Sequence, residues 1–270
     1  MTDGLIDWDA AFENGAHVPG SQDLAGIWAA QAAAFRQASQ CELDQAYGPG
    51  ARNRVDLFLP DGTARGCVVF VHGGYWHKFD KSFWSHLAAG PLAQGWAVAM
   101  PSYTLAPDAR ISEITQDVAQ AIAFVAKKVD GPLRLAGHSA GGHLVTRMVC
   151  ASSALPDDVA GRVEKVVSIS GVHDLRPLVQ TRMNEELRLT EAEATAESPY
   201  VAGPGAKVPV TFWVGAGERP EFLRQTRLIA EAWQEAGAPV RDVYEPGRNH
   251  FSVVEGLGDP DSALVAEILG

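Results

Sequence analysis

The sequence has few basic residues, few cysteines and no long apolar run. Lys and Arg total 22 against 33 Asp and Glu, so the formal net charge is −11. Nucleic acids and anionic membrane surfaces select basic patches, and we therefore expect neither as a partner. Because no run of about 18 apolar residues occurs, we also expect no membrane-spanning helix.

Cysteine is scarce as well, and its spacing excludes several classes of small protein. Cys41, Cys67 and Cys150 fit no disulfide framework, zinc pattern or redox pair. Cys67 and Cys150 fall in predicted elements, where cysteine usually serves as a small core residue. Residues 1–10 have neither a basic region nor a long apolar core, so we expect no signal peptide. These absences favour a reducing, cytoplasmic location, and we expect no metal site and no cofactor.

What is present is an ordinary globular composition arranged in a regular alternation. The 270 residues are 46% hydrophobic, which suits one large α/β domain over residues 1–270. Strand candidates alternate with helical segments, of which one carries Ile111, Ile114, Val118, Ile122 and Val125 on a single face. This alternation predicts a doubly wound, mostly parallel sheet with right-handed crossovers. The strand candidates are residues 42–47, 54–59, 67–71, 96–100, 133–136, 163–169, 208–214 and 240–244.

One connection breaks this rhythm. Nearly forty residues separate the strand candidates at 163–169 and 208–214, and they are rich in charge. A long insertion at the carboxyl edge of such a sheet usually covers a site. We therefore predict a cap or lid over about residues 171–207. Arg176 and Arg182 in this segment are candidates to pair with a substrate carboxylate, although solvated surface charges show the same pattern.

A serine lies between a predicted strand and a helix predicted over residues 140–150. Residues 137–141 read GHSAG and fit the pattern G-x-S-x-G, which forms the nucleophile elbow of α/β-hydrolases. Such a sharp turn exposes the serine hydroxyl, and its flanking glycines avoid collisions with neighbouring backbone. The pattern predicts Ser139 as a nucleophile. His138 is a poor base for it, because adjacent side chains on a tight turn point apart.

Acyl transfer by serine also needs a base and a group that orients the base. In this fold the chain order is serine, then Asp or Glu, then His. His250 follows the last strand candidate in a Gly/Asn loop, which predicts it as the base. Glu218, in the loop after residues 208–214, is the favoured acid, while Glu221 and Asp242 remain open as alternatives.

Backbone donors for an oxyanion are predicted directly after residues 67–71. The sequence there is HGGYW, and an HGG-type loop at this point of the fold aims N–H groups at the oxyanion. Gly73 and Gly74 would supply two donors and Ala140, after the nucleophile, a third. Tyr75 and Trp76 follow at once, so we predict that they stack against an aromatic substrate group.

These motifs together resemble the α/β-hydrolase type of kynurenine formamidase (arylformamidase), which is related to hormone-sensitive-lipase-like esterases. The similarity spans roughly residues 55–251. It rests on HGGYW, on the elbow GHSAGGHL, on PSYTLAP at residues 101–107 and on SGVHDLRP at residues 170–177. The resemblance implies Ser139 as nucleophile, His250 as base, Glu218 as acid, and Gly73, Gly74 and Ala140 as oxyanion donors. Glu218 stands where many relatives have aspartate.

The resemblance implies hydrolysis of N-formyl-kynurenine to kynurenine and formate, with a small molecule as the partner and self-association left open. A carboxylesterase acting on small acyl esters is the alternative enzyme, because esters and activated amides are cleaved by the same groups. A hydrolase-fold protein that only binds a ligand is the alternative outside catalysis. Such proteins often lack the serine or the histidine, and both are present here.

Overall fold

The computed structural model of the protein describes residues 6–270. Residues 1–5 lie outside this range. They belong to the predicted domain, and also to residues 1–10, where no signal peptide is expected. Within residues 6–270, no helix combines the length and the apolar character required to cross a lipid bilayer.

An eight-stranded sheet organises the described chain, in the order β1-β2-β4-β3-β5-β6-β7-β8. The first two strands are antiparallel to their neighbours, and the remaining pairs are parallel. This topology confirms the predicted mostly parallel, doubly wound sheet. The strands are β1 (Cys41–Ala46), β2 (Arg54–Phe58), β3 (Cys67–Val71), β4 (Ala97–Pro101), β5 (Leu133–His138), β6 (Val163–Ile169), β7 (Val210–Gly215) and β8 (Val240–Glu245).

Helices follow most strands and cover both faces of the sheet. They are α1 (Trp8–Phe12), α2 (Ser21–Ala38), α3 (Ala89–Ala93), α4 (Ile111–Ala126), α5 (Ala140–Arg147), α6 (Asp157–Ala160), α7 (Asn184–Leu187), α8 (Glu191–Ala196), α9 (Pro199–Ala202), α10 (Pro220–Glu235) and α11 (Ala263–Leu269). Short 3₁₀ helices occupy Gly15–His17, Lys81–Phe83, Ser85–Ala88, Arg176–Gln180 and Val253–Gly258.

The side-chain pattern of the central strands explains why helices are needed on both sides. All five residues of β3 are buried. Val69 and Val71 point into one apolar core, whereas Val68 and Phe70 point into the other. A strand buried on both faces reads as a continuous apolar run, because alternate side chains enter opposite cores. The predicted apolar face of α4 is buried in the first of these cores.

Helix α5 is shorter than the sequence pattern predicts. It ends at Arg147, whereas the pattern extended it to Cys150. The N–H groups of Met148 and Val149 turn to carbonyls three residues back, which tightens and ends the helix. Cys150 then forms an isolated bridge with Pro204 and is buried, as expected for a core cysteine.

The insertion at residues 170–207 packs mainly against the body of the protein. Its leucines Leu178, Leu187 and Leu189 are buried in the core. Ser112 of α4 donates to Glu193 of α8, and the indole N–H of Trp233 in α10 donates to a carbonyl of the insertion. These hydrogen bonds anchor the insertion to α4 and α10, while its leucines anchor it to the core.

The carboxyl ends of β3, β5, β6 and β7 meet at one edge, where ligands bind in open α/β sheets. This convergence requires close backbone approach at the start of α5. A Cβ placed on Gly141 would lie 1.9 Å from the carbonyl oxygen of Val71. No relaxation of a flexible side chain relieves this contact, because the neighbour is backbone.

We expect Gly141→Ala to lower the free energy of unfolding by about 3 kcal/mol or more, because the new methyl overpacks the turn. Gly26→Ala is the matched control, since that glycine lies in α2 with no neighbouring atom within 4 Å. The control should gain up to ~1 kcal/mol from helix propensity. Urea unfolding of the two variants measures both values, and equal stability would contradict the packing argument.

Candidate active site

Ser139 occupies a strained turn between β5 and α5. Its φ is 56° and its ψ is −116°, a conformation that non-glycine residues rarely adopt. The backbone N–H of Ser139 donates to the carbonyl of Ile169 at 2.8 Å, and its carbonyl accepts from His143. These bonds hold the turn from both sides. The geometry is that of the nucleophile elbow predicted from the sequence.

Two glycines of the elbow and one of the HGGYW loop are required by close approach. A Cβ on Gly137 would lie 2.2 Å from the carbonyl oxygen of Gly141, inside the same turn. A Cβ on Gly73 would lie 2.8 Å from the carbonyl oxygen of His138 and 3.0 Å from the Cβ of Ser139. The loop after β3 therefore lies directly against the serine, as an oxyanion hole requires.

The predicted oxyanion donors have no competing acceptor. Among residues 6–270, the backbone N–H groups of Gly73, Gly74 and Ala140 donate to no protein atom. The Ala140 N–H is unpaired because Ala140 begins α5, whereas the Gly73 N–H is unpaired although Gly73 is buried, where such groups almost always have a partner. All three N–H groups are therefore available to an oxyanion that forms on a substrate carbonyl at Ser139.

His250 and Glu218 form a buried hydrogen-bonded pair. His250 Nδ1 lies 2.7 Å from Glu218 Oε2, and both side chains are almost fully buried. The other carboxylate oxygen accepts from the hydroxyl of Ser170 and from the N–H of Gly215. Both Glu218 oxygens are thus occupied, which fixes the carboxylate and leaves His250 Nε2 as the nitrogen that can act as a base.

The other two acid candidates lie elsewhere. Glu221 forms two hydrogen bonds of 2.8 Å with Arg224 and accepts a third from Gln225. Asp242 lies on β8 and is exposed to solvent. Of the three acids left open by the sequence, Glu218 is the one that contacts His250. Ser170, which helps to hold it, was not identified from the sequence, although it follows β6 at the same edge.

His138 holds the base loop and is neutral. Its Nε2 lies 2.8 Å from the carbonyl oxygen of His250, so the ring donates there. Burial, together with the neighbouring His250, lowers the pKa of His138 to about 3. The residue beside the nucleophile therefore joins the elbow to the histidine loop, in agreement with its rejection as the base.

Ser139 and His250 line the same cavity of about 590 Å³. Its wall is aromatic, and its mouth is charged. The aromatic lining residues are Phe12, Trp28, Tyr75, Phe79, Trp84 and Phe251, and the charged ones are Asp9, Glu13, Lys78 and Arg182. The volume falls in the usual range for small-molecule sites.

The roof of this cavity comes largely from the N-terminal segment, which the sequence analysis did not connect with the site. Asp9 to Asn14 and the first half of α2 contribute to it. From residues 170–207, the lining is contributed by Arg182 and Met183. Arg182 pairs with Asp9 at 2.9 Å, whereas Arg176 pairs with Asp174 and does not line the cavity.

Tyr75 and Trp76 point in different directions. Tyr75 lines the cavity, as predicted. Trp76 is 0% exposed and packs in the core, so the expected substrate contact of Trp76 is wrong. Both residues have positive φ values, 51° and 59°, and this left-handed backbone turns the second side chain inward.

Trp76 instead joins the oxyanion loop to α5. Its indole N–H donates to His143 Nδ1 at 3.2 Å, and His143 Nε2 donates to the carbonyl of Glu197 at 2.8 Å. Burial lowers the pKa of His143 to about 3, so the ring stays neutral and Nδ1 stays an acceptor. The loop that carries Gly73 and Gly74 is therefore tied to the helix that carries the nucleophile.

We expect Trp76→Phe to lower kcat several-fold on every substrate, because the loop loses its bond to His143. The ratio of kcat/KM for aryl and alkyl esters should stay within about twofold, since the ring does not face the cavity. Trp96→Phe is the control, because that buried indole N–H has no partner among residues 6–270. A shift in the aryl to alkyl ratio caused by Trp76→Phe would contradict the core assignment.

Comparison with known proteins agrees with this geometry. The chain matches the BD-FAE family over residues 55–211, more than half its length. It is 30% identical to a kynurenine formamidase of Danio rerio over 245 residues, which cover 87% of this chain and 83% of that one. It is 28% identical to the isoprenylcysteine alpha-carbonyl methylesterase of Arabidopsis thaliana, with 79% of this chain and 57% of that one covered.

A solved structure matches nearly the whole chain. The crystal structure of a putative thioesterase from Silicibacter sp. TM1040 is 49% identical, with a TM-score of 0.94 and coverage of 98% of this chain and 100% of that one. The sheet order, the strained serine and these similarities agree with one another. The chain is a hydrolase with the α/β-hydrolase fold, and it belongs to the kynurenine formamidase family, which is related to esterases.

Proposed function

We propose that this protein hydrolyses the formamide bond of N-formyl-kynurenine, with Ser139 as nucleophile, His250 as base and Glu218 as the acid that orients His250. Gly73, Gly74 and Ala140 supply the oxyanion donors. The observation that carries the proposal is an aromatic cavity of about 590 Å³ with Ser139 and His250 in its wall, where His250 is bonded to the buried Glu218. The 30% identity to a kynurenine formamidase supports the same substrate.

The first half of the reaction forms a formyl-enzyme. Ser139 Oγ attacks the formyl carbon while His250 Nε2 takes the hydroxyl proton. The carbonyl oxygen becomes an oxyanion, and each well-placed N–H that receives it contributes about 3 kcal/mol to transition-state stabilisation. Because Glu218 is held by Ser170 and Gly215, its carboxylate stabilises the imidazolium without rearrangement.

The second half releases both products. His250 gives its proton to the departing aryl amine, and the C–N bond breaks. Water then attacks the formyl ester on Ser139, with His250 again as the base, and formate leaves. The aromatic rings at the cavity wall provide apolar faces against which an aryl leaving group can stack. Arg182 and Lys78 at the mouth are cations within reach of a substrate carboxylate entering there.

A carboxylesterase of small acyl groups is the second candidate function. The same nucleophile and oxyanion donors cleave esters, and the 28% identity to a methylesterase favours this alternative. A protein that only binds ligands is disfavoured, because the unpaired N–H groups and the Glu218–His250 pair are both in place.

We expect purified protein to convert N-formyl-kynurenine to kynurenine and formate with a kcat/KM above that for short-chain nitrophenyl esters. Ser139→Ala should reduce turnover by on the order of 10⁶-fold, because no other group replaces the nucleophile. Absorbance of kynurenine follows the reaction. Cleavage of nitrophenyl esters without turnover of N-formyl-kynurenine would reject the formamidase proposal and favour the esterase.

Glu218→Gln should lower kcat by about 10³–10⁴-fold with little change in KM, because a neutral amide neither fixes the His250 tautomer nor stabilises its cation. Glu221→Gln is the matched control, since that carboxylate bonds Arg224 and Gln225 instead. Its kcat should stay within a few-fold of the unaltered protein. Equal losses in the two variants would remove Glu218 from its proposed role.

A further inference from the structure

Asn14 is a buried polar residue in the roof of the cavity that the proposed reaction does not use. It follows α1, precedes the 3₁₀ helix Gly15–His17 and is 2% exposed. It lines the same cavity as Tyr75 and Ser139. A buried amide usually has all its hydrogen-bonding groups occupied, so each of its partners is informative.

The partners of the Tyr75 hydroxyl fix which end of the Asn14 amide faces Tyr75. The Tyr75 hydroxyl donates its proton to the carbonyl oxygen of Phe12 at 2.6 Å. Burial raises the pKa of this phenol, so the proton remains in place. The phenol oxygen is then left to accept, and Asn14 Nδ2 donates to it at 2.8 Å. The amide nitrogen is therefore turned toward Tyr75 and the amide oxygen away from it.

The amide oxygen has no partner in the described part of the chain. Within residues 6–270, no N–H or O–H donates to Asn14 Oδ1. Asn14 Oδ1 does not belong to the fully enclosed unpaired side-chain atoms of the described residues, so it keeps some accessible surface through which a donor on a ligand can reach it. The neighbouring charge also favours a donor, because Glu13 lines the cavity on the same segment.

We propose that Asn14 is a specificity-determining residue whose amide oxygen accepts a hydrogen bond from an N–H of the substrate. This inference rests on the proposed formamidase function. N-formyl-kynurenine has two such donors, the formamide N–H and the α-ammonium group, whereas an ester places an oxygen where the formamide has its N–H. Because a site built to bond an N–H rejects analogues that lack it, Asn14 favours substrates that present this N–H over analogues of similar shape that lack it.

The test compares kcat/KM of the unaltered protein and of Asn14→Leu on three substrates: N-formyl-kynurenine, formanilide and phenyl formate. Asn14→Leu should lower the ratio of N-formyl-kynurenine to phenyl formate by roughly 10–100-fold, because the substrate N–H loses its acceptor. If the ratio of formanilide to phenyl formate falls by the same factor, the formamide N–H is the donor. If that ratio is unchanged, the α-ammonium is the donor.

Two further variants separate this role from a structural one. Gln31→Leu makes the same kind of change at an exposed position of α2 outside the cavity, and it should leave all three ratios unchanged. Tyr75→Phe retains the ring but removes the hydroxyl that orients Asn14. It should therefore also lower the ratio of N-formyl-kynurenine to phenyl formate, although Asn14 itself is unchanged. It also provides the measurement if Asn14→Leu does not fold.

The outcomes distinguish a failure of the proposed Asn14 role from a failure of the proposed formamidase function. If Asn14→Leu and Tyr75→Phe both lose activity by the same factor on all three substrates, or both lose none, the proposed role of Asn14 is overturned. Formamide turnover by the unaltered protein would then still support the proposed function. Absence of formamide turnover in the unaltered protein would instead remove the proposed function, and this inference with it.

Discussion

The approach of the α5 turn to the end of β3 is the constraint on which the site depends. Gly141 lies so close to the carbonyl of Val71 that a single added carbon would collide with backbone. This contact brings the loop after β3 against the serine, and the N–H groups of Gly73 and Gly74 in that loop have no protein acceptor among residues 6–270. An oxyanion hole needs donors fixed before the charge forms, because reorganisation during the reaction would consume the stabilisation. Backbone packing, rather than flexible side chains, provides that rigidity here.

Buried groups with defined protonation extend the same rigidity outward. His143 and His138 are neutral, and each donates a ring N–H to a backbone carbonyl. One secures the oxyanion loop through Trp76, and the other secures the loop of His250. A neutral imidazole has one donor and one acceptor, so its partners determine its tautomer. These two histidines therefore position their neighbours, while His250 remains the one held by a carboxylate.

The sequence was sufficient for the sheet because strands buried on both faces produce continuous apolar runs, and β3 is the clearest case. Chain order similarly predicted which carboxylate meets His250, since loops after successive parallel strands reach one edge. The direction of Trp76 could not be predicted, because it depends on positive φ values in a loop. Nor could the place of Asn14, whose contact with Tyr75 spans 61 residues and belongs to no motif.

The residues that the sequence predicted lie in the floor of the cavity, around Ser139, whereas Asn14, which it did not predict, lies in the roof. The floor at Gly73, Gly74 and Ser139 lies inside the residues 55–211 that match the BD-FAE family, whereas the roof at residues 9–28 lies before them. A floor that stabilises an oxyanion serves formamides and esters alike, because both form the same tetrahedral centre. Discrimination must then come from groups that contact the leaving atom or its substituents, which is the role proposed for Asn14 in the roof. Substrate choice can therefore differ between relatives with the same floor, because the roof residues precede all the strands of the sheet.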